Sequence, residues 1–311
     1  MQLYLGERGR GLGPCAVTMG NFDGVHLGHL AMLRALRTAA DAQGLPTALL
    51  TFAPHPREVF QRDSPPARLT GLRDKLALLA ASTYVDRVYV RRFNRSFAAL
   101  SPDAFMDEVL LAQLDVRYLL VGEDFHFGAC RAGNAATLAA RAEWVTQIMP
   151  TVSVDAARVS SSRVRAALTL GDMAQVTRML GHPYQISGRV HYGKKLGRTL
   201  GFPTANLALT RYHRALNGIF VVEVETPQGC FPGVASVGVN PTVELRKRAV
   251  LEVYLLDFMD DLYGRCITVR FLQRLRDEQH FAGLAALSAQ IARDVEQARS
   301  YFTHLNSARH A

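Results

Sequence analysis

Through the first half of the chain, short apolar runs alternate with longer stretches whose apolar residues recur at helical spacing. "AVTM" (Ala16–Met19) reads as a buried strand. Leu30, Leu33, Leu36 and Ala40 then share one helical face within His26–Gln43, and Gly44 and Pro46 stop the helix. Thr47–Phe52 is the next predicted strand, "RDKLALLAAS" a helix, and Val85–Val90 a further strand. "SPDAFMDEVLLAQL" starts with Ser101 as N-cap and Pro102 at the first helical position, where the missing N–H costs nothing. "RYLLVG", "NAATLAARAE" and "WVTQIMP" continue as strand, helix and strand. Such alternation predicts a parallel, doubly wound sheet, whose ligands sit beyond the carboxyl ends of the strands.

The pattern changes near Leu180–Gly188. Dense β-rich runs follow, broken by glycine and proline: "QISGRVH", "GIFVVEVET", "GCFPGVASVGV", "VLEVYLLDF" and "CITVRFL". They predict a small antiparallel β-barrel, and "LAALSAQIARDVEQARSYF" a closing amphipathic helix. The expected organisation is therefore α/β, with a parallel-sheet domain over 1–184 and a barrel domain over 185–311.

Hydrophobic residues make up 49% of the 311 and charged residues 20%, which fits a soluble globular protein. No apolar run spans a bilayer, so no membrane partner is expected. The start, "MQLYLGERGRGLGP", carries no secretory pattern. Cys15, Cys130, Cys230 and Cys266 form no CxxC pair, which predicts reduced thiols in the cytoplasm and no zinc site. A net charge of +9 favours anionic ligands, nucleotides and nucleic acids alike. The basic residues are dispersed, however, and the densest clusters, "RVYVRR" and Arg246–Arg248, read as solvated surface. No nucleic-acid partner is expected, and a homo-oligomer is left open.

Candidate chemistry begins in "GNFDGVHLGHL" (Gly20–Leu30), where His26 and His29 stand at a strand-to-helix turn. A helix N-terminus has unpaired N–H groups and a positive dipole end, so it attracts phosphate. Imidazoles there can stabilise charge on a departing pyrophosphate, and Gly28 admits phosphate close to the backbone. A metal site needs further ligands, and none stands at a suitable local spacing. An isolated HxxH is more often incidental. Here, "TFAPHPREVF" with His55, "VGEDFHFG" with Asp124, and "ARVSSSRVR" leave successive predicted strands. Alone, these read as a stiff turn, a loop and a capped helix start. Together they make an anion-binding kit of hydroxyls, guanidinium groups and a helix N-terminus.

In the second half, "GRVHYGKKLGRTLGFPTANL" is glycine-rich and basic but lacks the Walker pattern. Gly193, Gly197 and Gly201 around Lys194, Lys195 and Arg198 can form a phosphate-covering flap. Thr204 and Asn206 point to one face of a strand and offer hard oxygen ligands suited to magnesium. Spacing alone fits an ordinary polar strand face equally. Glu252 stands in an apolar strand, sharing a face with Tyr254 and Leu256, either as a solvent-facing alternate or as a general base. "LRDEQHFAGL" brings Arg276 and Phe281 ahead of the last helix.

The quoted motifs of the first half resemble the adenylyltransferase half of the bacterial bifunctional riboflavin kinase/FMN adenylyltransferase family. That half is a Rossmann-like HxGH nucleotidyltransferase domain. "LGFPTANL", "GVASVGVNPTV", "LEVYLLDF…DLYG" and "LRDEQHF" resemble its riboflavin kinase module, a six-stranded barrel. The resemblance implies two ATP-dependent steps: riboflavin to FMN, then FMN to FAD with release of pyrophosphate. ATP and the flavins are then substrates and products, and magnesium the metal. By resemblance, His26 and His29 contact the ATP phosphates. Gly20, Phe22, Asp23, Gly28, Arg158, Ser161, Ser162 and Arg165 bind ATP, and His55 and Asp124 line the flavin and nucleotide pocket. In the kinase module the resemblance puts Gly193, Lys194, Gly197, Arg198 and Gly201 on the phosphates and Thr204 and Asn206 on magnesium. Glu252 becomes the base, and Arg276 and Phe281 lie on the flavin side.

The sequence departs from the family pattern in places. Ala53 replaces a frequent acid before PHP, and Ser162 a frequent threonine. Ser236 and Asn240 stand where Asn and Arg are commoner, and Tyr254 where His is. Two other readings stay open at this level. One is a chain that keeps only one activity; the other is a basic nucleotide- or RNA-binding protein without chemistry.

Overall fold

A computed structural model describes residues 1–61, 65–193, 200–209, 215–239 and 249–310. In the first of two units, six parallel strands form a sheet: β1 (Gln2–Leu5), β2 (Cys15–Met19), β3 (Thr47–Ala53), β4 (Arg87–Arg92), β5 (Val116–Gly122) and β6 (Val145–Met149). Their order is β1-β4-β3-β2-β5-β6, every neighbouring pair parallel. All five residues of β2 are buried. Val17 and Met19 enter one apolar cluster and Ala16 the cluster on the opposite face, as strand alternation requires. Chain order runs outward from β2 through β3 to β4 on one side, and resumes with β5 on the other. The switch point therefore lies between the carboxyl ends of β2 and β5, where open α/β sheets bind ligands.

Helix α1 (Leu27–Ala42) buries Leu33, Leu36 and Ala40, the face expected from its spacing. Helix α2 (Leu72–Ser82) follows β3. Ser101 caps as expected, its Oγ accepting from Ala104 N–H at 3.1 Å. Past Ala104 the helix widens to a π-helix over Phe105–Leu111, which buries Phe105, Met106, Val109 and Leu110. "NAATLAARAE" supplies only the short helix Ala135–Ala139, held by a reciprocal Asn134–Thr137 capping box. Several elements have no counterpart in the periodicity reading. Among them are the edge strand β1, with Leu3 and Leu5 44% and 50% exposed, and the helix Met173–Leu180.

The two units are Met1–Pro66 with Gly71–Ser161, and Ala67–Thr70 with Ser162–Ala311. Helix α3 (Ser161–Leu170) begins at the division, and α4 (Met173–Leu180) ends in a left-handed Gly181. A closed barrel follows: β7 (Tyr184–His191), β8 (Thr204–Ala208), β9 (Gly218–Thr226), β10 (Gly229–Val239), β11 (Ala249–Leu255) and β12 (Cys266–Arg276). Its order is β7-β8-β11-β10-β9-β12, all pairs antiparallel, so no edge is left unpaired. Phe220, Val222, Leu251, Val253, Val269 and Phe271 are among its fully buried residues. Helix α5 (Leu284–His310) runs eight residues past the stretch that periodicity marks. Its Val295, Ala298, Tyr301 and Phe302 pack on Ile219, Val221, Val234 and Leu256.

Candidate active sites

The turn after β2 is shaped by three left-handed residues, Phe22 (φ +47°), Gly24 (φ +88°) and Val25 (φ +43°). A β-branched valine there is strained, and such strain persists only where the surroundings impose it. Phe22, Asp23 and His26 are all buried. His26 is the N-cap of α1: its Nδ1 accepts the backbone N–H of His29 at 3.3 Å. That bond assigns the ring proton of a neutral His26 to Nε2. His29 stacks on His26 at 3.6 Å between centroids and on Phe22 at 4.4 Å. Its Nδ1 is out of solvent without a hydrogen-bond partner. Burial, with the neighbouring His26 and Lys75 adding to it, holds the His29 pKa well below the usual imidazole value. His29 is thus a neutral imidazole at physiological pH. A Cβ on Gly28 would stand 3.2 Å from the His26 ring, so glycine keeps that cap in place.

Lys75 is a residue the sequence reading missed. It is buried, and its Nζ donates to the Asn21 carbonyl at 2.5 Å and lies 3.4 Å from Thr51 Oγ1. It therefore ties α2 to the turn after β2 and adds a buried positive charge beside the histidines. In the sequence it is one lysine in an amphipathic helix, indistinguishable from a solvated one.

Ser161 Oγ donates to the Asp23 carbonyl at 2.8 Å, which joins the serine motif to the same turn. Gly20 closes β2 with its N–H on the Leu50 carbonyl at 3.0 Å. Arg158 and Asp124, expected in separate roles, form one exposed ion pair at 2.5 Å. His55 caps the short helix Pro56–Phe60, its Nδ1 accepting from Arg57 N–H at 3.2 Å. Ser162 and Arg165 belong to the second unit. Ser162 is exposed at the start of α3, and Arg165 Nε donates to the Ala67 carbonyl at 2.5 Å. At the carboxyl ends of β3 and β4, Phe60, Phe93, Phe52 and Phe97 form a run of rings 5.7–5.9 Å apart, with Phe60 64% exposed. Each phenylalanine alone reads as core; only the β4-β3 adjacency gathers them.

In the barrel, register does the assembling. Asn206 on β8 pairs with Glu252 on β11, and Glu252 pairs with Ser236 on β10. Directly paired residues point to the same face, so the three side chains form one row, with Thr204 and Tyr254 paired beside it. The row is outside the barrel: Ala205, Leu207, Leu251 and Val253 on the alternate positions are buried, and Glu252 is exposed. Leu256 keeps the face it shares with Tyr254: both enter the apolar cluster that α5 covers, and Leu256, 2% exposed, has its N–H on the Pro232 carbonyl at 2.8 Å just past the end of β11.

A cavity of about 650 Å³ adjoins the row, lined by Tyr192, Gly193, Thr204, Asn206, Phe258 and Tyr263 among others. Tyr192 and Tyr263 stack at 4.0 Å across its rim. Asn206 Nδ2 donates to the Thr204 carbonyl at 3.2 Å, which orients the amide and keeps its oxygen an acceptor. Gly201 adopts φ +85° in open space ahead of this strand. Lys194, Gly197, Arg198 and Asn240 lie outside the described residues, as do Arg246–Arg248. Arg276 and Phe281 do come together, the guanidinium 5.8 Å from the ring centroid. Glu278, next in that segment, is pushed up in pKa by burial and by the Glu252 charge. Its carboxylate sits where a Cβ on Gly238 would be.

Comparison with known proteins separates the chain along the same line. The family model described as FAD synthetase matches residues 10–163, and the one described as riboflavin kinase matches 180–302. The order defines a class of two-part transferases, a nucleotidyltransferase sheet followed by a kinase barrel. Bifunctional riboflavin kinase/FMN adenylyltransferase from Haemophilus influenzae is 42% identical, over 97% of this chain and 99% of that protein. The enzyme of the same name from Escherichia coli K12 is 46% identical over 93% of each. The chain belongs to the bifunctional riboflavin kinase/FMN adenylyltransferase family. A crystal structure named as a macrolide-efflux protein of Streptococcus pneumoniae shares the fold, with TM-score 0.82 and 28% identity over 96% of this chain and 99% of that one. Among the described residues, no helix is long and apolar enough to cross a membrane.

Proposed function

We propose that residues 185–311 phosphorylate riboflavin to FMN and residues 1–184 adenylylate FMN to FAD, with ATP as substrate of both steps and the cytoplasm as the setting. The observation that carries the reading is the outward row Asn206–Glu252–Ser236 beside a nucleotide-sized cavity. It stands in one chain with a stacked histidine pair at a helix N-terminus.

In the kinase step, Glu252 accepts the proton of the ribityl 5′-hydroxyl as that oxygen attacks the γ-phosphorus of ATP and ADP departs. Thr204 and Asn206 fit a magnesium ion, since both offer hard oxygens and Gly193 leaves the space beside the amide that a Cβ would fill. Held by these two residues, the ion would supply neutralisation of phosphate charge. Lys194 and Arg198 bring positive charge for the phosphates, and Arg276 with Phe281 meets the flavin.

In the adenylyl step, an FMN phosphate oxygen attacks the α-phosphorus of ATP and pyrophosphate leaves. No covalent enzyme species is needed, so catalysis is positioning and charge stabilisation. His26 Nε2–H and neutral His29 donate to the phosphates while the first turn of α1 presents its free N–H groups. Gly20, Phe22, Asp23 and Ser161 shape this turn, and Arg158, Ser162 and Arg165 supply further phosphate donors. His55, Asp124 and the Phe60–Phe93–Phe97 rings form the flavin side.

A chromatographic time course tests the proposal: purified protein with riboflavin, ATP and magnesium, FMN and FAD resolved, with and without EDTA. FMN should rise and then give way to FAD, and EDTA should stop both. FMN that accumulates without FAD would remove the adenylyl half, and failure to convert either riboflavin or supplied FMN would remove both.

A further inference from the structure

Two charged side chains of α5 reach the two segments that frame the proposed kinase site. Asp294 is only 2% exposed. A carboxylate so buried must be paired. Its oxygens accept from Arg276 Nε at 2.9 Å and Nη2 at 2.7 Å, and Gln290 Nε2, one helical turn earlier, donates to it at 2.9 Å. Arg276 Nη1 donates to the Asp277 carbonyl at 2.9 Å. The guanidinium plane is thus held through all three nitrogens by two partners, with Phe281 beside it. Further along the helix, Arg299 makes a second fork, Nη1 and Nη2 to the Asp257 carboxylate at 2.8 and 2.7 Å. Asp257, at φ +56°, opens the turn after β11, and the residues that follow it, Phe258 to Tyr263, line the cavity.

Attachment of the helix does not require these charges. Val295, Ala298, Tyr301 and Phe302 already seat it on the barrel. The Arg276–Asp294 pair is buried, where apolar replacements of the same shape are often as stabilising, and the Arg299–Asp257 pair is exposed, where an ion pair adds little stability. What a two-bond fork supplies is orientation of a planar group. Both forks are spent on segments at the site, one on the flavin side and one on the nucleotide side.

We propose that α5 is a positioning element of the kinase, Asp294 setting the plane of Arg276 for the flavin and Arg299 setting the 257–263 turn for the nucleotide. The inference rests on the reading of Arg276 and Phe281 as flavin-side residues.

The test uses the full-length chain with Asp294→Asn and Arg299→Gln. Riboflavin affinity is read from flavin fluorescence, KM and kcat from FMN formation, and FAD formation from supplied FMN serves as the folding control. Asp294→Asn should raise the riboflavin Kd about tenfold with ATP KM within twofold. Arg299→Gln should do the reverse. The exchange Asp257→Arg with Arg299→Asp should bring ATP KM back toward wild type. Equal effects on both substrates, or a fall in kcat or melting temperature with neither affinity moved, would overturn the inference. If the wild-type chain makes no FMN, the kinase reading fails by itself. The riboflavin titration then still decides: equal binding by wild type and Asp294→Asn, or binding by neither, overturns the role of Asp294.

Discussion

Replacing Gly193 with alanine puts a Cβ 2.6 Å from Cγ, Nδ2 and Oδ1 of Asn206. Gly193 is not in the left-handed region, so the substitution carries no backbone strain and its effect is local. Ordinary contact begins near 3.4 Å, so the amide or the strand must move by at least about 0.8 Å. The amide cannot yield cheaply. All three clashing atoms move together about one side-chain bond, and rotation breaks the 3.2 Å bond to the Thr204 carbonyl. A misplacement near 1 Å in a positioning group costs on the order of 10²-fold in rate, or about 2.7 kcal/mol of barrier. The expected result is FMN formation slowed about 10²-fold while conversion of supplied FMN to FAD is unchanged. Riboflavin phosphorylation and FMN adenylylation, assayed separately on one preparation, measure this. A Gly193→Ala enzyme that phosphorylates riboflavin within twofold of wild type would refute the placement of Asn206 in the kinase site.

Three further outcomes are expected. His29→Ala should abolish FAD formation and leave FMN formation intact; loss of both in a folded variant would sink the two-site model. Glu252→Ala should stop FMN formation, yet the variant should still convert supplied FMN to FAD, and full kinase activity would remove Glu252 as base. The lowered His29 pKa also has a consequence for stability. Below the unfolded value near 6.5 the unfolded chain takes up a proton that folded His29 refuses. This contribution is complete above about pH 6.5 and is lost as pH falls below it, with a slope of at most about 1.4 kcal/mol per pH unit. Denaturant melts of wild type and His29→Asn between pH 7 and 5 should differ in that slope, and parallel curves would contradict the buried neutral ring.

The α/β-then-barrel order was legible because alternation of buried and exposed positions is written locally in "TANL" and "LEVYL". The histidine turn was legible because a strand end, a glycine and a helix start are contiguous. Arg158 with Asp124 was not, since an ion pair across 34 residues leaves no local trace. Lys75 was missed for a related reason: helical spacing places it on α2 but does not say what α2 covers. Leu256 was placed on the face of Tyr254, where it stands, but its burial beneath α5 was not legible, because period-two counting does not say which helix covers a strand. The aromatic run at Phe52, Phe60, Phe93 and Phe97 needed the sheet order, which periodicity does not contain.

In the barrel strands, residues that fill the interior and residues of the outward row occupy alternate positions, Thr204 and Asn206 out, Ala205 and Leu207 in. Neighbouring letters of the gene thus answer to different selection. On the proposed kinase site, a change at Thr204 or Asn206 should impair phosphoryl transfer and leave the interior packing in place, while a change at Ala205 or Leu207 should loosen the interior. A mutational scan of these strands scored for both solubility and flavin turnover should therefore split with a two-residue beat.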